Sequence, residues 1–262
     1  MKRILRISLV VAILALSAAF IVIFDGESRR ARHKQTCTGL QVTVLDSAQM
    51  QFVTKEDVKQ YIKSGYGVYL GQRLDSVNLH KIEDILSERS AILRSEAYLT
   101  GDGILHVEIT QRAPILRFEP SSGSGFFADE TGYLYPLVKG YSDGVTKVDG
   151  AVPVAYQDGY KGYARTEKER QWIMGMVGME KWLDGNRTWK NGIKRISVNG
   201  KGGLVLYPAA GVERFYFGRP ENYREKFGRI GLYYTRIAPA SADKGYRYVD
   251  VSIDGQIICR KK

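Results

Sequence analysis

The chain has 262 residues, with 39 lysines and arginines against 28 aspartates and glutamates, a formal net charge of +11. That balance favours acidic neighbours: anionic lipid headgroups, an acidic protein or an acidic cell-wall polymer. The three histidines, His33, His80 and His106, are isolated and show no metal-ligand spacing, so no metal and no cofactor are expected.

Ile7–Phe24 is an uninterrupted run without charge, ISLVVAILALSAAFIVIF. As a helix it would reach roughly 27 Å, close to the hydrocarbon thickness of a bilayer. A cleaved signal peptide is the competing reading, with Lys2, Arg3 and Arg6 as its basic start and Ser17 and Ala19 near a weak cleavage site. The length of the run favours an anchor, and its most apolar part, Phe20–Phe24, lies beyond that site. The expected layout is a cytoplasmic tail over 1–6, a transmembrane helix over 7–24, a linker over 25–37 and an exported body. Nucleic acid as a partner conflicts with that export. Charge alone leaves the orientation open, because Arg29, Arg30, Arg32 and Lys34 follow the span. The short tail favours an internal N-terminus. Cys37 follows Lys34-Gln35-Thr36, which is not the apolar run that a lipidated cysteine requires. Cys37 and Cys259 stand at opposite ends of the body, and nothing local supports a bond between them.

Leu40–Leu45 alternates as a strand does. Thr54-Lys-Glu-Asp57 is a helix start, a capping hydroxyl with a carboxylate three residues on. Val58, Tyr61 and Ile62 share a face, and Gly65 ends that helix. A second helix is expected over Asn78–Arg89, with Leu79, Ile82, Ile85 and Leu86 as its apolar stripe. Ala97–Thr100 and Ile104–Thr110 form a hairpin around Gly101-Asp102-Gly103. Ser121–Gly125, SSGSG, is expected to be the break between two units, 38–118 and 125–262.

In the second unit Gly125–Leu137 predicts a hairpin turning at Glu130-Thr-Gly132. Thr166-Glu-Lys-Glu169 is a second capping box. It opens a helix through Leu183 with Trp172, Ile173, Met176, Met179 and Leu183 near one face. Strands follow at Ile193–Val198, Gly203–Tyr207 and Val212–Phe217, then a helix over Glu221–Ile237. Tyr246–Ile253 and Gln256–Cys259 form a closing hairpin around Asp254-Gly255. The fold class is therefore α+β, a β-α-α-β-β unit followed by a mixed-sheet domain with flanking helices.

The β-α-α-β-β order just beyond an anchor resembles a POTRA domain. Leu93–Phe118, LRSEAYLTGDGILHVEITQRAPILRF, resembles the closing hairpin and Arg-x-Pro exit of the FtsQ/DivIB family, with Gln111 where the family has Glu. Asp129, Gly132 and Tyr133 match that family's aspartate-x-x-Gly-aromatic hairpin. Gly218-Arg219, the helix with Lys226, Phe227 and Leu232, and Tyr248-Val249-Asp250 match its C-terminal region. The resemblance implies a non-catalytic divisome scaffold in the inner membrane, with a periplasmic body at the septum. It also implies partners like FtsB and FtsL, a coiled-coil pair docking on Tyr246–Cys259. The expected partner-binding residues are Tyr246, Tyr248, Ser252, Gln256, Ile257, Ile258 and Cys259. The backbone N–H groups of 256–260 would accept a partner strand by β-addition at a sheet edge.

Two alternatives come from other classes. A POTRA-bearing transport or assembly component would need a membrane barrel, and none follows. An anchored cell-wall enzyme would use Ser241-Ala-Asp-Lys244, Ser76-Val-Asn78 and Lys63-Ser-Gly65, which fit SxxK, SxN and K(S/T)G. Their order is wrong, with the nucleophile motif last. No catalytic residue is assigned.

Overall fold

The computed structural model describes residues 35–48, 52–137, 144–240 and 245–261. Ile7–Phe24 and the Ser241–Lys244 motif lie outside them. No described helix is long and apolar enough to cross a membrane. The chain divides into two compact units, with the boundary between Gln111 and Arg112.

The first unit runs β1 (Gly39–Val44), α1 (Lys55–Gly65), a 3-10 turn, α2 (Leu79–Ser87), β2 (Ile92–Leu99) and β3 (Ile104–Gln111). The sheet order is β1-β3-β2, with β1 parallel and β2 antiparallel to β3. The Thr54 hydroxyl accepts from Asp57 N at 3.2 Å, and the Asp57 carboxylate accepts from Thr54 N at 2.9 Å. These bonds satisfy N–H groups that no helical carbonyl can reach. The Asn78 side-chain oxygen caps α2 one way only, accepting from Lys81 N at 3.0 Å. Val58 and Ile62 of α1, Ile82 and Leu86 of α2 and Leu105, Val107 and Ile109 of β3 are fully buried. β2 begins at Ile92, five residues before the expected Ala97. Leu93–Glu96 lacks clean alternation, and pairing with β3 supplies the order that local pattern does not.

Gln111 ends β3 and is buried. Its side-chain oxygen accepts from Phe52 N at 2.7 Å and Val53 N at 2.8 Å, and its amide nitrogen donates to Asp46 at 3.1 Å. Asp46 also accepts from Gln111 N at 3.0 Å. This side chain therefore ties the end of the sheet to the connection between β1 and α1. An amide can both donate to a carboxylate and accept two backbone N–H groups, whereas an ionised carboxylate could only accept.

Among the described residues the second unit contains ten strands in one sheet: β4 (Pro114–Pro120), β5 (Phe126–Asp129), β6 (Tyr133–Pro136), β7 (Thr146–Gly150), β8 (Gly162–Tyr163), β9 (Ile193–Val198), β10 (Leu204–Pro208), β11 (Arg214–Gly218), β12 (Tyr248–Asp250) and β13 (Ile258–Arg260). Their order is β13-β12-β11-β10-β9-β7-β4-β5-β6-β8. The β4–β7, β7–β9 and β11–β12 pairs are parallel, the rest antiparallel. The sequence placed Pro114–Phe118 in the first unit. Here Leu116 and Phe118 are fully buried in the second unit's core, and Phe118 pairs with Phe126 across a hairpin. SSGSG is the loop of that hairpin rather than a linker, so the division falls at Gln111–Arg112.

Helices α3 (Glu167–Gly185) and α4 (Tyr223–Leu232) cover one sheet face. Thr166 and Glu169 form the expected reciprocal cap. Ile173, Met176, Met179 and Leu183 enter the core, with Phe227 and Ile230 from α4. The expected helix over Glu221–Ile237 is shorter: regular helix stops at Leu232 and a π-helical turn continues over Tyr233–Ile237. Gly150, where β7 meets β9, has φ +92°, and a Cβ there would lie 2.3 Å from the Val198 carbonyl oxygen. Gly150→Ala is expected to destabilise the second unit by about 2–4 kcal/mol through strain and ladder displacement. Its urea midpoint is the check.

Candidate partner-docking edge

Among the described residues β13 has a neighbour on one side only, so its other side is an open sheet edge there. The turn before it is fixed locally. Asp250 accepts from Ser252 N at 2.9 Å and from the Ser252 hydroxyl at 2.6 Å. Gly255 has φ +68°. Arg229 of α4 donates to the Val251 carbonyl at 3.0 Å and lies 3.4 Å from Asp254, which holds the hairpin against the helix.

Register determines which groups the edge presents. Tyr248 pairs with Arg260, Val249 with Cys259 and Asp250 with Ile258. Arg214 N donates to the Arg247 carbonyl, and Val251 N to the Tyr216 carbonyl. Residues 247, 249 and 251 therefore turn their backbones toward β11, and Tyr248 and Asp250 turn theirs toward β13. Ile258 and Arg260 are thus the hydrogen-bonded partners of β12. The backbone N–H and C=O of Cys259 point outward, flanked by those of Ile257 and Lys261. The sequence expected all of 256–260 to offer donors. The strand is shorter and alternates, so Cys259 stands at the centre of the open set.

Side chains alternate as well. Val249 is fully buried, and Ile257 and Cys259 pack against the same core. Burial pushes the Cys259 thiol pKa up, which keeps it protonated. Cys37 and Cys259 are both free thiols. Ile258 and Arg260 emerge on the other face. With Tyr216, Tyr248, Asp250 and Lys261 they line a groove of about 310 Å³. From this groove a ladder of side chains runs across β12, β11, β10 and β9. Tyr216 and Tyr248 have ring centroids 6.2 Å apart. The Arg214 guanidinium sits 5.8 Å from the Tyr248 ring and 5.7 Å from Tyr207, and Arg195 lies 5.0 Å from Tyr207. Arg195 also pairs with Asp149. Cation–π stacking holds these long side chains extended over the strands, with their outer faces available.

Of the seven residues singled out in the sequence, Tyr248, Ile258 and Cys259 lie in paired strands. Tyr246, Ser252, Gln256 and Ile257 flank them. The sequence reading missed Arg214, Tyr216 and Tyr207. The alternation of Arg214-Phe-Tyr-Phe217 shows that Arg214 and Tyr216 share a face, but only the parallel β11–β12 pairing brings them beside Tyr248. Among the described residues no cluster of three or more His, Cys, Asp or Glu could hold a metal ion.

Residues 35–110 match the model of a POTRA-like domain, and residues 113–260 match the model described as FtsQ/DivIB, C-terminal related. The second match covers more than half of the chain. The chain belongs to the FtsQ/DivIB family. No curated protein matches it. FtsQ/DivIB proteins are non-catalytic cell-division proteins, and the two matches meet where the fold divides, at Gln111–Arg112. The β13 edge lies within the FtsQ/DivIB portion.

Proposed function

We propose that the chain is a divisome scaffold held in the inner membrane by Ile7–Phe24, with its two units in the periplasm at the septum. It has no catalytic step. Its partners are FtsB- and FtsL-like coiled-coil proteins, one of which adds a strand to β13. The observation that carries this reading is the outward backbone of Cys259 at the sheet edge, beside a groove that Ile258 helps to line. Main-chain bonds supply part of the affinity, and the groove selects a side chain. Arg260, Lys261, Arg214 and Arg195 favour acidic residues flanking the added strand.

The test uses proline, which cannot donate a backbone hydrogen bond. Cys259→Pro is expected to reduce co-purification of the FtsB-like partner by at least about tenfold, a loss of roughly 1.4 kcal/mol or more. Ile258→Val keeps the backbone and most of the side chain and is expected to bind within about twofold of the parent. Truncation after Asp254 should act like the proline. Circular dichroism separates lost binding from lost folding. A folded Cys259→Pro chain that retains full partner capture would overturn the strand-addition mechanism.

A further inference from the structure

A second surface lies on the first unit, between α1 and the outer side of β1. Leu40, Glu56, Lys59, Gln60, Lys63 and the Gly67–Leu70 loop line a groove of about 640 Å³. Two apolar side chains of the loop stand in solvent, Val68 at 76% and Leu70 at 51% exposure. Beside them, Lys59 and Lys63 lie four residues apart on the exposed face of α1. Glu56 lies 3.6 Å from Lys59, a solvent-exposed pair of little energetic weight.

Gln35–Cys37, which follows the N-terminal apolar run in sequence, packs beside this surface. Leu74 N donates to the Gln35 carbonyl, Cys37 N to the Gln72 carbonyl and Gly71 N to the Cys37 carbonyl. Thr36 forms a bridge with Arg73. Gln35–Cys37 is thus fastened to Gly71–Leu74, directly after the exposed Val68–Leu70. Residues 25–34 separate Gln35 from the end of the apolar run at Phe24. Ten residues reach at most roughly 36 Å. The connecting residues carry Arg29, Arg30, Arg32 and Lys34. Their charge has the same sign as Lys59 and Lys63, which makes them a poor occupant of the groove.

We infer that the Val68–Leu70 loop, with Lys59 and Lys63, rests on an anionic bilayer surface. Val68 and Leu70 enter the interfacial layer, Tyr69 sits at headgroup level, and the two lysines meet lipid phosphates. This inference rests on the reading of Ile7–Phe24 as an anchor. It adds a second contact that orients the POTRA-like unit on the membrane.

The test uses the full-length chain in vesicles of equimolar phosphatidylglycerol and phosphatidylcholine, with Cys37→Ala and Cys259→Ala. A fluorophore is placed at Val68→Cys or, as a control, at Leu93→Cys, an exposed position on the opposite edge strand β2. Nitroxide lipids labelled near the headgroup should quench the Val68 probe at least about twofold more than the Leu93 probe, as interfacial burial requires. Lys59→Glu with Lys63→Glu should bring that difference down toward the control. Equal quenching at both positions in a chain that resists carbonate extraction overturns the inference and leaves the anchor intact. A chain that carbonate releases overturns the anchor and the inference together. Shielding of Val68 from iodide without lipid quenching overturns the bilayer as occupant and indicates a second copy or another protein.

Discussion

Glu180→Gln is expected to raise the stability of the second unit at pH 8 and to change it little near pH 4. Glu180 lies on the core-facing side of α3 and is only 6% exposed. The Thr146 hydroxyl donates to one carboxylate oxygen, and the other oxygen is buried without a partner. Desolvation pushes its pKa up to about 7, a shift that the Thr146 bond opposes and nearby Asp184 reinforces. The sign follows directly. Between the ordinary carboxylate value and about 7, the folded chain holds a proton that the unfolded chain has released. Stability is unaffected below that window, falls as pH rises through it and stays reduced above it. The full difference is on the order of 3 kcal/mol. Glutamine keeps the shape and cannot ionise, so the pH-dependent loss should vanish. Urea midpoints of parent and variant at pH 4, 6 and 8 measure it. A parallel pair of pH profiles would show that Glu180 is solvated or ion-paired in solution.

Gln111→Glu is the second large effect, and it falls in the first unit. The substitution leaves the shape and the two bonds from Phe52 N and Val53 N possible. It removes the donor that faces Asp46 and sets two carboxylates at hydrogen-bonding distance. A lost donor and a buried like-charge contact together cost about 2–4 kcal/mol at pH 7. Protonation of either carboxylate restores a donor, so the loss should shrink toward pH 4. Thermal unfolding of the variant at the two pH values reads this out. A variant as stable as the parent at pH 7 would mean that Asp46 moves away and that the Gln111 bonds carry little.

Local chemistry made much of the fold legible in the sequence. Thr54 and Thr166 each have an acidic residue three positions on, and both form reciprocal caps. Turn residues marked the Gly101–Gly103 and Glu130–Gly132 hairpins because their geometry is set within a few residues. The unit boundary was not legible. Pro114–Pro120 reads as a strand in either unit, and its partners β5 and β7 are long-range choices. Ser121–Gly125 has the composition of a linker and the role of a hairpin loop. Glu180 was hidden for a similar reason. Its spacing after Met176 and before Leu183 puts it on the apolar face, and a carboxylate there reads as a solvated neighbour until the β7 side packs against it. At the candidate edge, the Asp254-Gly255 turn pointed to a closing hairpin. Which backbone groups face outward depends on β11–β12 register, which no local pattern encodes.

That alternation gives the most direct test of the central claim. Amide hydrogen exchange can be followed residue by residue in the chain alone and with the FtsB-like protein proposed as its partner. Strand addition at β13 predicts new protection at Cys259, and at Ile257 and Lys261 where the partner extends that far. Ile258 and Arg260 should change little, because β12 already holds their backbones. Protection that rises uniformly over 257–261 would indicate ordering of the whole segment rather than an added strand. Protection confined to another edge, with Cys259 unchanged, would contradict the account.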